Sequence, residues 1–204
     1  AAAPSPEAKS LGIGEMKVYD FDDVKLHAYR TNDALSDESF LLETADAVIG
    51  IESPSFQANL AEYAPYIADL GKPLTALLLP YHPAGGDMFT DVEIIGTEEA
   101  RTAQADGGSV KGLIDGFMQT FGDAFNSDIP EITNLVAPGS ITVDGVEFII
   151  TATADGFDIE IPAIKSVFTH MMGSDVHNIL LSTAQIDAMI AQLEGYRDKG
   201  FALI

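Results

Sequence analysis

Residues 74–79, Leu-Thr-Ala-Leu-Leu-Leu, form a short apolar run held between Pro73 and Pro80. The run has no polar alternation and is too short for a helix, so it predicts a strand buried on both faces. A strand with two dry faces needs a covering layer on each side, which points to a layered α/β architecture. The chain has the material for such a core: 204 residues, 47% of them hydrophobic, with a mean hydropathy of +0.15. That is not the composition of a disordered chain. No apolar run approaches the roughly 20 residues needed to span a bilayer as a helix.

Element signals on either side of the run support this reading. Upstream, Met16-Lys17-Val18-Tyr19 and Val24-Lys25-Leu26-His27-Ala28 alternate as strands, and residues 40–44 and 47–51 continue an antiparallel meander. Residues 1–14 read as a flexible lead, and residues 15–204 as one domain. Ser53-Pro54 suggests an N-cap and first-turn proline, before a helix with Phe56, Leu60, Tyr63, Ile67 and Leu70 on one face and Pro65 as a kink. Downstream come a short strand at residues 92–95 and a helix capped by Thr97. The next helix, at residues 110–121, has a stripe of Val110, Leu113, Ile114, Phe117 and Phe121. A β-rich second half is expected from Ile132. In it, Asp144-Gly145 marks a hairpin between residues 141–143 and 146–150, with further strands at residues 157–161 and 165–169. Ser182-Thr183-Ala184-Gln185 fits a capping box for a last helix. Ile186, Met189, Ile190 and Leu193 are expected to face the core there, before Gly200 and a final strand at residues 201–204.

Composition narrows the chemistry. Ten basic against 32 acidic residues leave a net charge of −22, which repels phosphate backbones and anionic lipid. Nucleic acid is therefore not an expected partner; the acidic residues read as a solvated surface that could attract cations or cationic substrates, and a small-molecule partner stays open. The absence of cysteine removes disulfides, thiolate metal sites and cysteine nucleophiles. The small, Pro-rich residues 1–7 look like a processed start, which suggests export to a periplasmic or extracellular space; otherwise the chain is cytoplasmic. No P-loop, G-x-S-x-G or dinucleotide-binding context is present. Ser53 and Ser182 read as caps, not nucleophiles, and His27 as a sheet-face residue.

The succession of strands, helix and buried strand, followed by Leu77-Leu78-Leu79-Pro80-Tyr81-His82-Pro83-Ala84-Gly85-Gly86, resembles the first half of metallo-β-lactamase-fold hydrolases. The Asp144-Gly145 hairpin, residues 161–169 and the closing helix resemble the second half. The resemblance covers residues 16–204 and implies a four-layer αββα sandwich of the α/β (α+β) class. In that superfamily an H-x-H-x-D-H motif at the mouth of a buried strand gathers metal ions that activate water. Of the motif only His82 matches here; Pro80, Ala84 and Gly85 stand at the other ligand positions. Residues 151–154 hold no histidine where the family has its third, and Met171 stands where it has a bridging Asp.

If the fold holds, the strand ends at Pro80 and Thr169 open on one edge. The candidate ligand-binding residues are then Tyr81, His82, Asp87, His170, Asp175 and His177, with His82, His170 and His177 as candidate metal ligands. One divalent ion (zinc, iron or manganese) suits such a set, and so does a metal-free pocket. Residues 170–178 also resemble a His-Asn stretch of the alkylsulfatase branch. The resemblance implies a hydrolase-like protein that lacks most metal ligands, with residual metal-dependent or acid–base hydrolysis. The alternative is a non-catalytic module that binds a small molecule or a partner on the same fold.

Overall fold

A computed structural model describes residues 4–170 and 182–204. Its first half is a meander of five antiparallel strands: β1 (Glu7–Ser10), β2 (Glu15–Asp20), β3 (Lys25–Arg30), β4 (Glu38–Glu43) and β5 (Val48–Ile51). Helix α1 (Gln57–Asp69) then returns the chain to β6 (Leu74–Leu78), which lies parallel to β5. Two more parallel strands, β7 (Glu93–Gly96) and β8 (Asn134–Leu135), complete an eight-stranded sheet in sequence order. Helices α2 (Glu98–Gln104) and α3 (Ser109–Phe121) lie between these last two strands. The second sheet runs β9 (Gly139–Val143), β10 (Val146–Ala152), β11 (Phe157–Ile161) and β12 (Ser166–Phe168), all antiparallel. After α4 (Thr183–Asp198), β13 (Ala202–Leu203) joins β12 in parallel.

The layers follow from side-chain alternation. Leu26, Phe40, Leu42, Ile49, Ile51, Leu78 and Ile95 leave the first sheet on its inner face and meet Phe148, Ile150, Phe157, Ile159 and Ile161 of the second. The outer face of the first sheet, with Met16, Tyr29, Leu41 and Val48, packs on Tyr63 and Ile67 of α1. Leu77, Leu79 and Ile94 form a further outer cluster, so β6 is apolar on both sides, as its run predicts. On the far side, α4 lies over the outer face of the second sheet, where Gln192 Nε2 donates to Asp158 and Lys199 Nζ pairs with Glu160. The result is the expected αββα sandwich.

Local signals hold in several places. Thr97 caps α2 by accepting from Ala100 N–H, and Ser182 with Gln185 makes a reciprocal capping box. Asp144 and Gly145 take φ of 46° and 81°, the turn that pairs β9 with β10.

Other expectations need correction. Glu7–Ser10 is a strand paired with β2, inside the segment expected to be a flexible lead. Ser53 does not cap α1: the helix starts at Gln57 behind Phe56, and Ser53 is buried with its hydroxyl towards Pro54 O. Strand β8 extends the first sheet and does not begin the second. Leu113 is exposed on α3, whose buried residues are Val110 and Ile114. Ile186 and Ile190 are exposed on α4, and Tyr196 is that helix's buried residue. Met189 and Leu193 are half-buried, and the sheet surface beneath α4 presents Asp158 and Glu160, so the contact is partly polar. Among the described residues no helix is long and apolar enough to cross a membrane.

Leu78 is fully buried between layers. Replacing it with Ala should cost about 2–5 kcal/mol in urea denaturation, the range for a large-to-small change in a packed core. A loss below about 1 kcal/mol would contradict its burial.

Candidate functional site

Parallel strands bring their carboxyl ends to one edge, so the residues just past β5 and β6 are neighbours there. Past β5 stands Glu52, with its backbone in the left-handed region (φ 62°) and its side chain buried. Past β6 come Pro80, Tyr81 and His82. The Glu52 carboxylate accepts Tyr81 N–H at 2.9 Å and His82 N–H at 2.5 Å, and its Oε2 lies 3.5 Å from His82 Nδ1. Burial pushes this carboxyl up to about 8, against the opposing pull of the two amide donors, and the nearby Asp37 adds to the rise. Glu52 is therefore largely protonated at neutral pH, despite being aimed at a histidine.

Tyr81 lies under the second sheet. Its ring stacks on His170 with centroids 4.2 Å apart and planes within 15°. His170 in turn meets the His82 ring edge-on at 5.0 Å. The Tyr81 hydroxyl donates to Asp158 Oδ1 at 3.2 Å and lies 2.7 Å from the Thr153 hydroxyl. A phenol has one proton, so Thr153 donates to Tyr81 and Tyr81 to Asp158. Asp158 is buried on β11, and burial raises its pKa above the usual carboxylate range even though Gln192, Tyr81 and the His170 backbone all donate to it. Burial also raises the Tyr81 phenol well above its ordinary value. His82 is the partly open member, with 26% of its side chain exposed.

Of the residues singled out from sequence, Tyr81, His82 and His170 come together. Asp87 has a different partner: it accepts from Asn126 Nδ2 at 3.1 Å, and burial raises its pKa. Asp175 and His177 lie outside the described residues. Sequence reasoning missed Glu52, Asp158 and Thr153. Glu52 had a signal, since a carboxylate ends the apolar run of residues 47–51 on the edge that Pro80 also marks. Asp158 had a weaker one as a polar residue in an alternating strand. His27 proves to be buried and structural, held by Tyr66 Oη at 2.7 Å and Glu43 at 2.9 Å.

Among the described residues, no three His, Asp or Glu side chains stand where they could hold a metal ion. The two imidazoles at the edge stand edge to face in a stack, and the one carboxylate beside them is tied to backbone amides. These residues by themselves do not fit the metal centre that the sequence motif implies.

No protein-family model matches the chain, and no curated protein matches it. Solved structures do. The native FEZ-1 metallo-β-lactamase from Legionella gormanii aligns with a TM-score of 0.52 and 16% identity, over 84% of this chain and 70% of that one. BJP-1, a subclass B3 metallo-β-lactamase of Bradyrhizobium japonicum, gives 0.54 and 12%, over 95% and 74%. A double mutant of the sec-alkyl sulfatase PisA1 gives 0.54 and 16%, over 96% of this chain and 37% of that one. The chain has the metallo-β-lactamase fold. It spans little more than a third of the sulfatase.

The buried acid gives a prediction with a definite sign. Glu52 holds its proton to about 8 when folded, against an ordinary 4.5 when unfolded. The folded chain then binds more protons between those values, so this group's contribution to stability falls as pH rises across them. Glu52→Gln has no such proton. The stability of the wild type relative to Glu52→Gln, from urea melts at about pH 5 and about pH 8, should fall with pH. A difference that stays level or grows would show Glu52 to be ionised throughout.

Proposed function

We propose that the chain is a hydrolase-like protein whose open edge binds a small molecule without the two-metal chemistry of H-x-H-x-D-H sites. The observation that carries this reading is the backbone at Gly85. It takes φ of 86°, and a Cβ there would lie 2.3 Å from Pro54 O and 3.3 Å from Leu60 Cδ1. No side chain fits at that position, let alone an imidazole. The neighbouring Ala84 is buried in an apolar cluster with Ala103, Val110, Ile114 and Phe125. Two of the motif's ligand positions have thus become packing, and Pro80 takes a third. What the edge offers instead is the partly open imidazole of His82, beside a His170 ring stacked on the buried Tyr81, with a protonated acid behind it. Such groups recognise a small polar molecule through hydrogen bonds and stacking.

A second reading has one observation in its favour. His82 Nδ1 lies 3.5 Å from Glu52 Oε2. With Glu52 ionised, as it is above about pH 8, the carboxylate would hold Nδ1–H of the ring and make the imidazole a base for acid–base hydrolysis.

Four measurements test these readings. Elemental analysis after chelator-free purification should find no two-metal complement; two equivalents of zinc, iron or manganese per chain would refute the proposal. A thermal-shift panel of small carboxylates, sulfates and esters should raise the melting temperature of the wild type, and His82→Ala should lose most of the response. A response kept unchanged by His82→Ala would place binding elsewhere. Turnover of an ester substrate that disappears in His82→Ala would favour the second reading. Gly85→Ala should destabilise the fold by more than about 1 kcal/mol, because a positive φ and a backbone clash coincide there.

A further inference from the structure

The two sheets part at the opposite end of the sandwich, where the parallel strands begin. A cavity of about 380 Å³ opens there between β6, β7 and β8 on one side and the β9–β10 hairpin on the other. That volume lies at the small end of ligand pockets. Its walls are Ala76, Ile95, Val136, Ile141 and Val143, all part of the inter-sheet core or packed against it. Its polar lining is Thr75, Glu93, Asn134, Thr142 and Asp144. No Lys, Arg or His is among the described lining residues, so the only charged groups at this site are two carboxylates.

Both carboxylates are held in place. Asn134 Nδ2 donates to Glu93 Oε1 at 3.1 Å, which fixes one across β7 and β8. The Thr75 hydroxyl bonds Asp144 Oδ2, which ties the hairpin turn to the start of β6 across the gap between the sheets. A carboxylate offers about four lone-pair sites, so one donor apiece leaves each able to accept more.

We propose that this cavity is a second binding site, for a small organic ammonium ion with an apolar body. The body lies against the half-buried Val136, Ile141 and Val143 and leaves water, the favourable term for burying hydrocarbon. The ammonium stays at the mouth between Glu93 and Asp144. Both of these are exposed, so the cation keeps part of its hydration and avoids the cost of full burial. Its N–H donors match the free acceptor sites of the two acids. An anion of the same shape meets two like charges and a chain of net charge −22. The site lies away from Tyr81 and His82, so it does not depend on the function proposed for that edge.

The test uses the whole chain and three probes of one shape: 2-phenylethylammonium, 2-phenylethanol and 3-phenylpropanoate. Amide chemical shifts and calorimetry report binding. The ammonium should bind with a dissociation constant on the order of 1 mM, typical for a fragment of its size. The alcohol should bind more weakly and the propanoate not at all. Shifts should fall at residues of β6, β7 and β9. Glu93→Gln and Asp144→Asn should each weaken the ammonium about twofold to fivefold, the worth of an exposed ion pair, and leave the alcohol unchanged. Asn keeps the hairpin turn, so Asp144→Asn tests charge and not folding. Val143→Phe fills the cavity and should abolish both ligands, while His82→Ala should change neither. The proposal is overturned by any of three results: no ammonium binding at about 10 mM, a tenfold margin; equal binding of all three probes; or shifts centred on Tyr81 and His82. Binding retained in a folded Val143→Phe variant overturns it as well.

Discussion

Two parallel strands that end side by side have no turn to hold their ends together, and here a single carboxylate takes that role. Glu52 leaves β5, turns back through a left-handed backbone and gives one oxygen each to the amides of Tyr81 and His82. The arrangement is costly in two ways. A non-glycine residue at positive φ stores strain, and a carboxyl removed from water must either keep its proton or find donors. Tight hydrogen bonding offsets both. In return, the direction of Tyr81 and His82 is fixed by backbone and not by loop packing. Everything else at that edge depends on it: the Tyr81 stack on His170, the line of hydroxyls to Asp158 and the exposure of His82.

The edge is also joined to the outer helical layer. Asp158 sits between the Tyr81 hydroxyl and Gln192 of α4. The second sheet is therefore apolar towards the first and polar towards its helix at this point. Residues from both sheets and from α4 share one hydrogen-bond chain, which sets their spacing more sharply than apolar contact would.

Much of the fold was legible in the sequence. The apolar run around Leu78, the Asp144-Gly145 turn and the Ser182–Gln185 capping box each rest on local physics, and each appears where that physics puts it. What local physics does not carry is which neighbour an element finds. The α4 stripe of Ile186 and Ile190 has helical spacing, yet both are exposed, and it is Gln192 and Lys199 that reach the sheet, at Asp158 and Glu160. Ser53-Pro54 has the chemistry of a helix start, but the chain first crosses the sheet edge, and the helix begins at Gln57. Strand β8 reads as part of the second half, and only long-range pairing assigns it to β7. The site was half legible for the same reason. Histidines after strand ends stand out by type, so Tyr81, His82 and His170 were found together. Glu52 and Asp158 are ordinary acids by type, and only their burial sets them apart.

The first strand has a part that its size conceals. β1 is four residues long, exposed throughout, charged at Glu7 and Lys9, and preceded by Pro4 and Pro6. It lies at the rim of the eight-stranded sheet, and among the described residues no strand pairs with its far side. A short, charged strand next to prolines is a poor template for a further strand. The one behind it is not: β2 carries the fully buried Met16 and the half-buried Val18 and Tyr19. β1 thus serves less to hold the sheet together than to stop it growing. Stripped of that cover, β2 would present bare amides and apolar side chains to the next molecule, and the sheet would become a seed for edge-to-edge aggregation.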